Sequence, residues 1–224
     1  MEAQQKRWVA IGGVAAVIAV WWFFSGGSNP EKELKSAMQD KRLLAIEKLE
    51  QADTPAAARV LEPYTTDEDI QVARRSLFAI GRMNNGGDTQ TLVKAMEHPK
   101  HEIREAAVVA MAMRGDKVDL VSQRDRLARD PSPMVRIAAA AQLGGMRDFE
   151  SVPLLVAALD SGNEELTNVA MRCLLDIGGR EHAGFKPGAT PQQRAEAIQS
   201  LKRDAMTFKS VNDEYKRYKE VMKR

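Results

Sequence analysis

Apolar residues return along this chain in blocks of about a dozen positions, each followed by a polar break. The clearest blocks are IQVARRSLFAIGRM at 70–83, IREAAVVAMAMRG at 103–115, VRIAAAAQLGGM at 135–146 and LTNVAMRCLLDIG at 166–178. Inside each block the apolar positions recur at helical spacing. Ile103, Ala106, Ala107, Ala110 and Met111 form one such stripe, and Val135, Ala138, Ala139 and Leu143 another. This is the pattern of a helix with one buried face. The aliphatic starts Ile70, Ile103, Val135 and Leu166 are separated by 33, 32 and 31 residues. A recurrence in that range marks a solenoid, in which no unit can bury its own apolar face and stacked units bury a continuous one. A weaker copy, with Met38, Leu43, Ala45, Ile46 and Leu49, lies 32 residues before Ile70 and reads as the capping unit.

A partner helix precedes each strong block, at 56–63, 89–97, 120–129 and 152–159. Asp88 and Asp119 are placed to cap two of them. The short polar loops 130–133 and 160–163 suit antiparallel helix neighbours. Gly144 and Gly178 read as helix terminators or loosened turns. The pattern therefore predicts an all-α superhelix, with helix over more than two thirds of residues 31–224 and no sheet.

The stretch V-R-x-x-A-A-x-x-L-G at 135–144 resembles the second helix of a HEAT repeat, in particular the short repeats of phycobilisome-lyase-like proteins. Arg104 and Arg136 match the basic residue after the aliphatic start, whereas Gln71 and Thr167 depart from it. The resemblance covers roughly residues 38–178. It implies an alpha-alpha solenoid and a scaffold or adaptor role. The lyase-like members attach bilins, but no bilin-directed constellation carries over to this sequence. Residues 184–208 are similar to a segment that follows repeats in some bacterial multi-repeat proteins, which implies a bacterial source and a capping tail.

The flanks differ from the repeats. Residues 8–24 read WVAIGGVAAVIAVWWFF without a charge, and residues 8–27 reach the length of a bilayer crossing. Trp8 stands at one end, Trp21 and Trp22 at the other, as in an aromatic belt. The alternative is a cleaved signal peptide, with Ser25 and Gly27 as small residues near the cut, although the bulky 21–24 segment disfavours it. Lys6 and Arg7 lie directly against the run and favour an inner N-terminus; Lys32, Lys35, Lys41 and Arg42 beyond it pull the other way. The expectation is a single-pass protein of a bacterial inner membrane, with the repeats in the periplasm. The organisation is then a tail at 1–7, a transmembrane helix at 8–27, a hinge at 28–30, HEAT-like repeats at 31–183, a loop at 184–190 and a capping helix with a basic tail at 191–224. Asn29 with Pro30, and Thr190 with Pro191, read as capped helix starts. In the tail, Ala195, Ile198, Leu201, Ala205 and Phe208 fall on one stripe.

Charge adds little to this picture. The net charge is +2; residues 31–190 hold 22 basic and 25 acidic side chains, and residues 191–224 hold 9 and 5. An acidic body argues against a nucleic-acid groove. The single cysteine, Cys173, sits in an apolar helical pattern, excludes an internal disulfide framework and reads as a small buried hydrophobe.

Candidate chemistry is sparse. His98 and His101 flank Pro99 and Lys100 without a third ligand at metal spacing, His182 stands apart, and Ser122 and Ser132 lack a neighbouring base. None of the glycine pairs follows a strand, so none forms a phosphate loop. Glu62, Tyr64 and 67–69 make an acidic turn. No catalytic residue, cofactor or metal is expected. The candidate interaction surface is Arg74, Arg75, Arg104, Arg136 and Arg172 on the second helices, with Tyr215 and Tyr218 in the tail; Trp8, Trp21 and Trp22 belong to the expected anchor. The expected partners are proteins of a membrane complex, with the bilayer engaged through residues 8–27. The competing reading is a lyase-like or ligand-binding protein that holds an anionic cofactor on the same arginines.

Overall fold

Side-chain caps mark the starts of several of the helices. Asn29 accepts the Glu31 N–H at 3.0 Å, Asp69 that of Gln71 at 3.0 Å, Asp88 that of Gln90 at 3.0 Å, and Asp119 those of Val121 and Ser122 at 3.0 and 3.1 Å. Each bond satisfies a donor that the first helical turn leaves without a partner. The computed structural model describes residues 29–115, 119–178 and 190–222. Within these, the helices are α1 Pro30–Leu34, α2 Gln39–Ala52, α3 Pro55–Leu61, α4 Ile70–Arg82, α5 Thr89–Ala95, α6 His101–Ala112, α7 Leu120–Arg129, α8 Pro133–Gly145, α9 Val152–Ala158, α10 Glu164–Gly178 and α11 Pro191–Met222. Short 3-10 turns occupy Glu62–Thr66 and Phe149–Ser151, and no strand occurs among the described residues.

The helices pair antiparallel as α1/α2, α3/α4, α5/α6, α7/α8 and α9/α10. The second helices then pack in series, α2 on α4, α4 on α6, α6 on α8 and α8 on α10, to form the dense layer of the stack. The fold is an all-α repeat solenoid. The core runs along this layer through Ile46, Leu77, Ile80, Ile103, Met111, Leu143 and Leu174, each no more than 1% exposed.

The second helices begin at residues 39, 70, 101, 133 and 164. That spacing corrects the register of the first strong unit. Ile103, Val135 and Leu166 are each the third residue of their helix, and the third residue of α4 is Val72, not Ile70. Val72 is fully buried, while Ile70 stays partly exposed. Both are aliphatic and two positions apart, so the pattern alone could not separate them. In the capping unit, Ala45, Ile46 and Leu49 are buried as expected, but Met38 is 56% exposed because it sits outside α2 at its N-cap.

Gly144 and Gly178 serve close packing more than termination. A Cβ on Gly144 would run into the side chain of Cys173 on α10, and one on Gly178 into the ring of Phe208 on α11. Gly81 holds the same place in α4 as Gly144 in α8, and a Cβ there would lie 2.5 Å from the Ala110 carbonyl oxygen of α6. Without Cβ atoms, adjacent second helices approach to backbone contact.

α11 closes the stack over α10 and α9. Thr190 and Gln193 bond reciprocally at its start, with distances of 3.2 and 2.9 Å, forming a capping box. Leu201 and Ala205 are buried, and Ile198 packs against the core, as the stripe predicted. Ala195 is instead exposed and Ala197 is buried in its place.

The expected single-pass localisation is corrected. No helix among the described residues is long and apolar enough to cross a membrane. A crossing needs about 20 consecutive apolar residues. α10 has 15 residues, and α11, with 32, carries Arg194, Lys202, Arg203 and Lys209 along its length. Residues 8–27, with Trp8, Trp21 and Trp22, lie outside the described residues.

Candidate protein-docking face

Each inner second helix, α4, α6 and α8, is covered on three sides, by its first helix and by the second helices of the adjoining units. The fourth side is open. On α4 it carries Gln71, Arg74, Arg75, Phe78 and Arg82; on α6, Glu102, Glu105, Val109 and Met113; on α8, Met134, Ile137, Ala138 and Ala141; on α10, Asn168, Val169 and Arg172. Met113 and Met134 are 37% and 43% exposed. The open face is thus acidic and apolar on α6 and apolar on α8, with arginines on α4 at one end and on α10 at the other.

The five candidate arginines do not share this face. Arg104 and Arg136 are the fourth residues of α6 and α8, a position that turns toward the inter-helix loops. Arg104 is 8% exposed and saturated: Nε and Nη2 donate to the two carboxylate oxygens of Asp130 at 2.8 Å, and Nη1 donates to the carbonyls of His98 and Pro99 at 2.9 Å. Arg136 donates through Nε to the Leu127 carbonyl at 3.0 Å. Arg104 joins two units, whereas Arg136 joins the two helices of its own unit. Arg74, Arg75 and Arg172 lie on the open face. Arg74 and Arg75 are half-buried, and neither has an ion pair or hydrogen bond among the described residues. Tyr215 and Tyr218 fall on α11, but their side chains lie outside the described residues.

Other arginines, not singled out in the sequence, join the units. Arg42 is the fourth residue of α2, at the register of Arg104, and grips Asp67 at 3.0 Å and Asp69 at 2.9 Å. Asp67 and Asp130 both stand three residues before their own second helix, so Arg42–Asp67 and Arg104–Asp130 are two rungs of one ladder. Between them the fourth residue of α4 is Ala73 and the carboxylate's place is taken by His98, which breaks the ladder. Arg124 pairs with Asp148 at 2.6 Å, and Arg126 donates to the Met96 carbonyl at 3.0 Å and to Glu97 at 2.9 Å. Arg114 reaches the carbonyls of Ile80, Met83 and Gly87. The helical register of Arg104, once the starts are fixed, is the signal that finds Arg42.

The electrostatics follow. Burial pushes the Asp130 carboxyl up, but the Arg104 hydrogen bonds, the Ser132 N–H and the charges of Arg104 and Arg126 outweigh it and hold its pKa below the ordinary value. At the acidic turn, burial likewise opposes ionisation of Asp69, and the Gln39 hydrogen bond with the N–H groups of Gln71 and Val72 prevails. Arg42 offsets part of the charge of this turn by pairing with Asp67 and Asp69.

Three of the remaining candidates have local partners, and His182 lies outside the described residues. His98 Nδ1 accepts the Lys100 N–H at 3.1 Å, His101 lies 3.4 Å from Glu102, and Ser122 donates to Asp119 at 2.7 Å. Among the described residues no three potential metal ligands cluster. Cys173 is buried and donates to the Ala140 carbonyl at 3.2 Å. Burial pushes its thiol up to about 11.

Residues 122–202 match the family of HEAT repeats. The match spans α7 to the first turns of α11, well under half of the chain. No curated protein matches the sequence. Among solved structures, the chain is similar to the complex of CpcE and CpcF of phycocyanin lyase from Nostoc sp. PCC7120, with 18% identity over 80% of this chain and 85% of that one and a TM-score of 0.51. It is also similar to an engineered protein, with 16% identity over 80% and 96% and a TM-score of 0.48, and to a designed armadillo repeat protein, with 18% identity over 80% and 98% and a TM-score of 0.47. At these identities the likeness concerns the fold alone.

Proposed function

We propose that this chain is a non-catalytic repeat scaffold that docks a protein segment of acidic and apolar character on the open face of α4, α6 and α8. The observation that carries the reading is the pair Arg74 and Arg75, half-buried and without an acidic partner among the described residues. Arg42, Arg104, Arg124 and Arg126 elsewhere in the stack all hold carboxylates. The same face continues through Phe78 on α4, Val109 and Met113 on α6 and Ile137 on α8. Arginine, aromatic residues and methionine are the types enriched where partners bind. A carboxylate arriving from outside would give these guanidiniums charge-assisted hydrogen bonds. Glu105, next to them on α6, would repel an acid placed one unit further, which confines the acidic end of the partner to α4.

The reading is tested with a displayed library of peptides that vary acidic, basic and apolar positions. The intact chain should enrich peptides with acidic residues flanking an apolar one, and the R74E/R75E variant, with an unchanged Tm, should lose them. Enrichment without acidic preference, or enrichment untouched by the charge reversal, would remove the basis for the proposal. A coloured or heat-stabilising small molecule retained on purification would favour the cofactor-binding alternative instead.

A further inference from the structure

The loop between α4 and α5 contains the chain's single Asn–Gly pair, Asn85–Gly86. Such a pair is chemically reactive because glycine adds no side chain to hinder its own backbone nitrogen from attacking the preceding carboxamide. In this solenoid the pair is held by a residue one unit away. Asp53, the residue that ends α2, accepts three hydrogen bonds: from the Asn85 N–H at 3.0 Å, from Asn85 Nδ2 at 2.9 Å and from the Gly86 N–H at 3.3 Å. To do so it adopts a left-handed backbone with φ of 42°. That region is uncommon for residues other than glycine, and aspartate is among those that tolerate it. Such a conformation persists where surrounding bonds over-determine it, and the three bonds do so here.

We infer that Asn85–Gly86 is a modification site, a place of spontaneous deamidation that Asp53 keeps closed in the folded protein. The reaction begins when the Gly86 amide nitrogen loses its proton and attacks Cγ of Asn85. The Cγ–Nδ2 bond then breaks, and Nδ2 leaves as ammonia, taking up one proton in place of the one that the Gly86 nitrogen lost. The product is a five-membered succinimide. Water adds to either of its carbonyls and leaves aspartate or isoaspartate; nothing is oxidised or reduced. Asp53 opposes the first step in two ways. Its negative carboxylate accepts the Gly86 N–H, which disfavours removal of that proton. It also binds Nδ2 and the Asn85 N–H, which fixes the carboxamide on Asp53 and away from the approach that attack requires.

The consequence is directional. Once Asn85 becomes a carboxylate, the Nδ2 donor is gone and two like charges face each other across a hydrogen-bond distance, so the joint between the units of α2 and α4 opens. An isoaspartate also lengthens the backbone by one carbon at the place where a Cβ on Gly86 would already meet the Thr54 carbonyl. Deamidation is therefore expected to loosen this end of the solenoid. The inference is independent of the docking face.

The experiment follows each asparagine by peptide mass spectrometry during incubation of the intact chain at mildly alkaline pH, well below its Tm. Asn84 lies in the same loop but precedes a bulkier residue, so it is the internal reference. In the native chain Asn85 should convert far more slowly than in the denatured chain. In Asp53→Ala, and less so in Asp53→Asn, Asn85 should convert faster by on the order of tenfold, the scale set by one charge-assisted hydrogen bond, with Asn84 unchanged. Chains fractionated after conversion should melt at a lower temperature than unconverted ones. Equal rates for native and denatured wild type, no acceleration in either Asp53 variant, or an acceleration shared by Asn84 would each overturn the inference.

Discussion

Arg104 on α6 and Asp130 ahead of α8 meet through two parallel hydrogen bonds of 2.8 Å, with the carboxylate side chain fully shielded from solvent. The pair joins one repeat to the next across the layer of second helices. Without Arg104 the buried Asp130 carboxylate keeps only the more distant Arg126, at 3.8 Å, and breaking a buried pair costs about 3–5 kcal/mol. Asp130→Ala and Arg104→Ala should each lower Tm on the order of 10 °C. The double variant should be less damaging than the two single effects added together, because it leaves neither charge alone. Strict additivity in a thermal or urea melt would show that the two residues act separately.

The same pair governs acid stability. The folded-state pKa of Asp130 lies below its ordinary value of 3.8. A depressed carboxyl contributes stability that is fully present above the unfolded value and is lost as pH falls through the folded one. Wild-type stability should therefore decline below about pH 4. The slope should flatten in Asp130→Asn, whose side chain does not titrate. An unchanged slope in that variant would assign the acid transition to other carboxylates.

Gly144 and Cys173 test the close approach of α8 and α10. Gly144→Ala places a methyl group on the Cys173 side chain, an overpacking that costs about 1–3 kcal/mol. Cys173→Ala removes the sulfur but keeps the Cβ that also stands in the way, so it should relieve only part of the loss. Full tolerance of Gly144→Ala in a denaturant melt would mean that these helices can move apart at no cost.

Cys173 itself should be inert while the chain is folded. Its thiol is buried and titrates near 11, so almost no thiolate exists at pH 8, and the thiolate is the reactive form. A disulfide reagent should label it only after unfolding, at the rate of global opening. Rapid stoichiometric labelling of native protein would contradict the burial.

The fold was legible because the apolar repeat is strong, but its details depended on helix starts. Ile70 and Val72 both fit the aliphatic position, and only the Asp69 cap decides between them. The docking arginines were legible as a set and not as individuals. Arg104 and Arg136 at position four are bound to neighbouring elements, while Arg74 and Arg75, at positions five and six of α4, stay available on the open face. Arg42 and Asp53 were missed because their partners lie 25 or more residues away, at Asp67 and at Asn85. Neither local spacing nor composition carries that distance.

The tail separates a structural part from a dispensable one. Leu201 and Ala205 are 1% exposed, and Phe208 closes over Gly178, so α11 covers the apolar end of the last repeat through Phe208. Lys202 adds a bond of 2.6 Å to Asp160. Among the described side chains beyond Phe208, Lys209 and Lys216 make ion pairs that are partly open to solvent. Lys209 lies 3.6 Å and Lys216 3.1 Å from Glu150, whose own pKa is lowered chiefly by the Lys216 hydrogen bond. Exposed ion pairs of this kind contribute about 0–1 kcal/mol. A chain ending at Ser210 should therefore keep its Tm within about 3 °C. A chain ending at Thr190 should lose about 1.5–3 kcal/mol for each large apolar side chain that α11 buries. It should also expose the end of α10, and such an uncapped repeat face promotes association. Calorimetry and light scattering on the two truncations separate the cases. If the shorter chain melted and stayed monomeric like the full one, α11 would not be the cap of this solenoid.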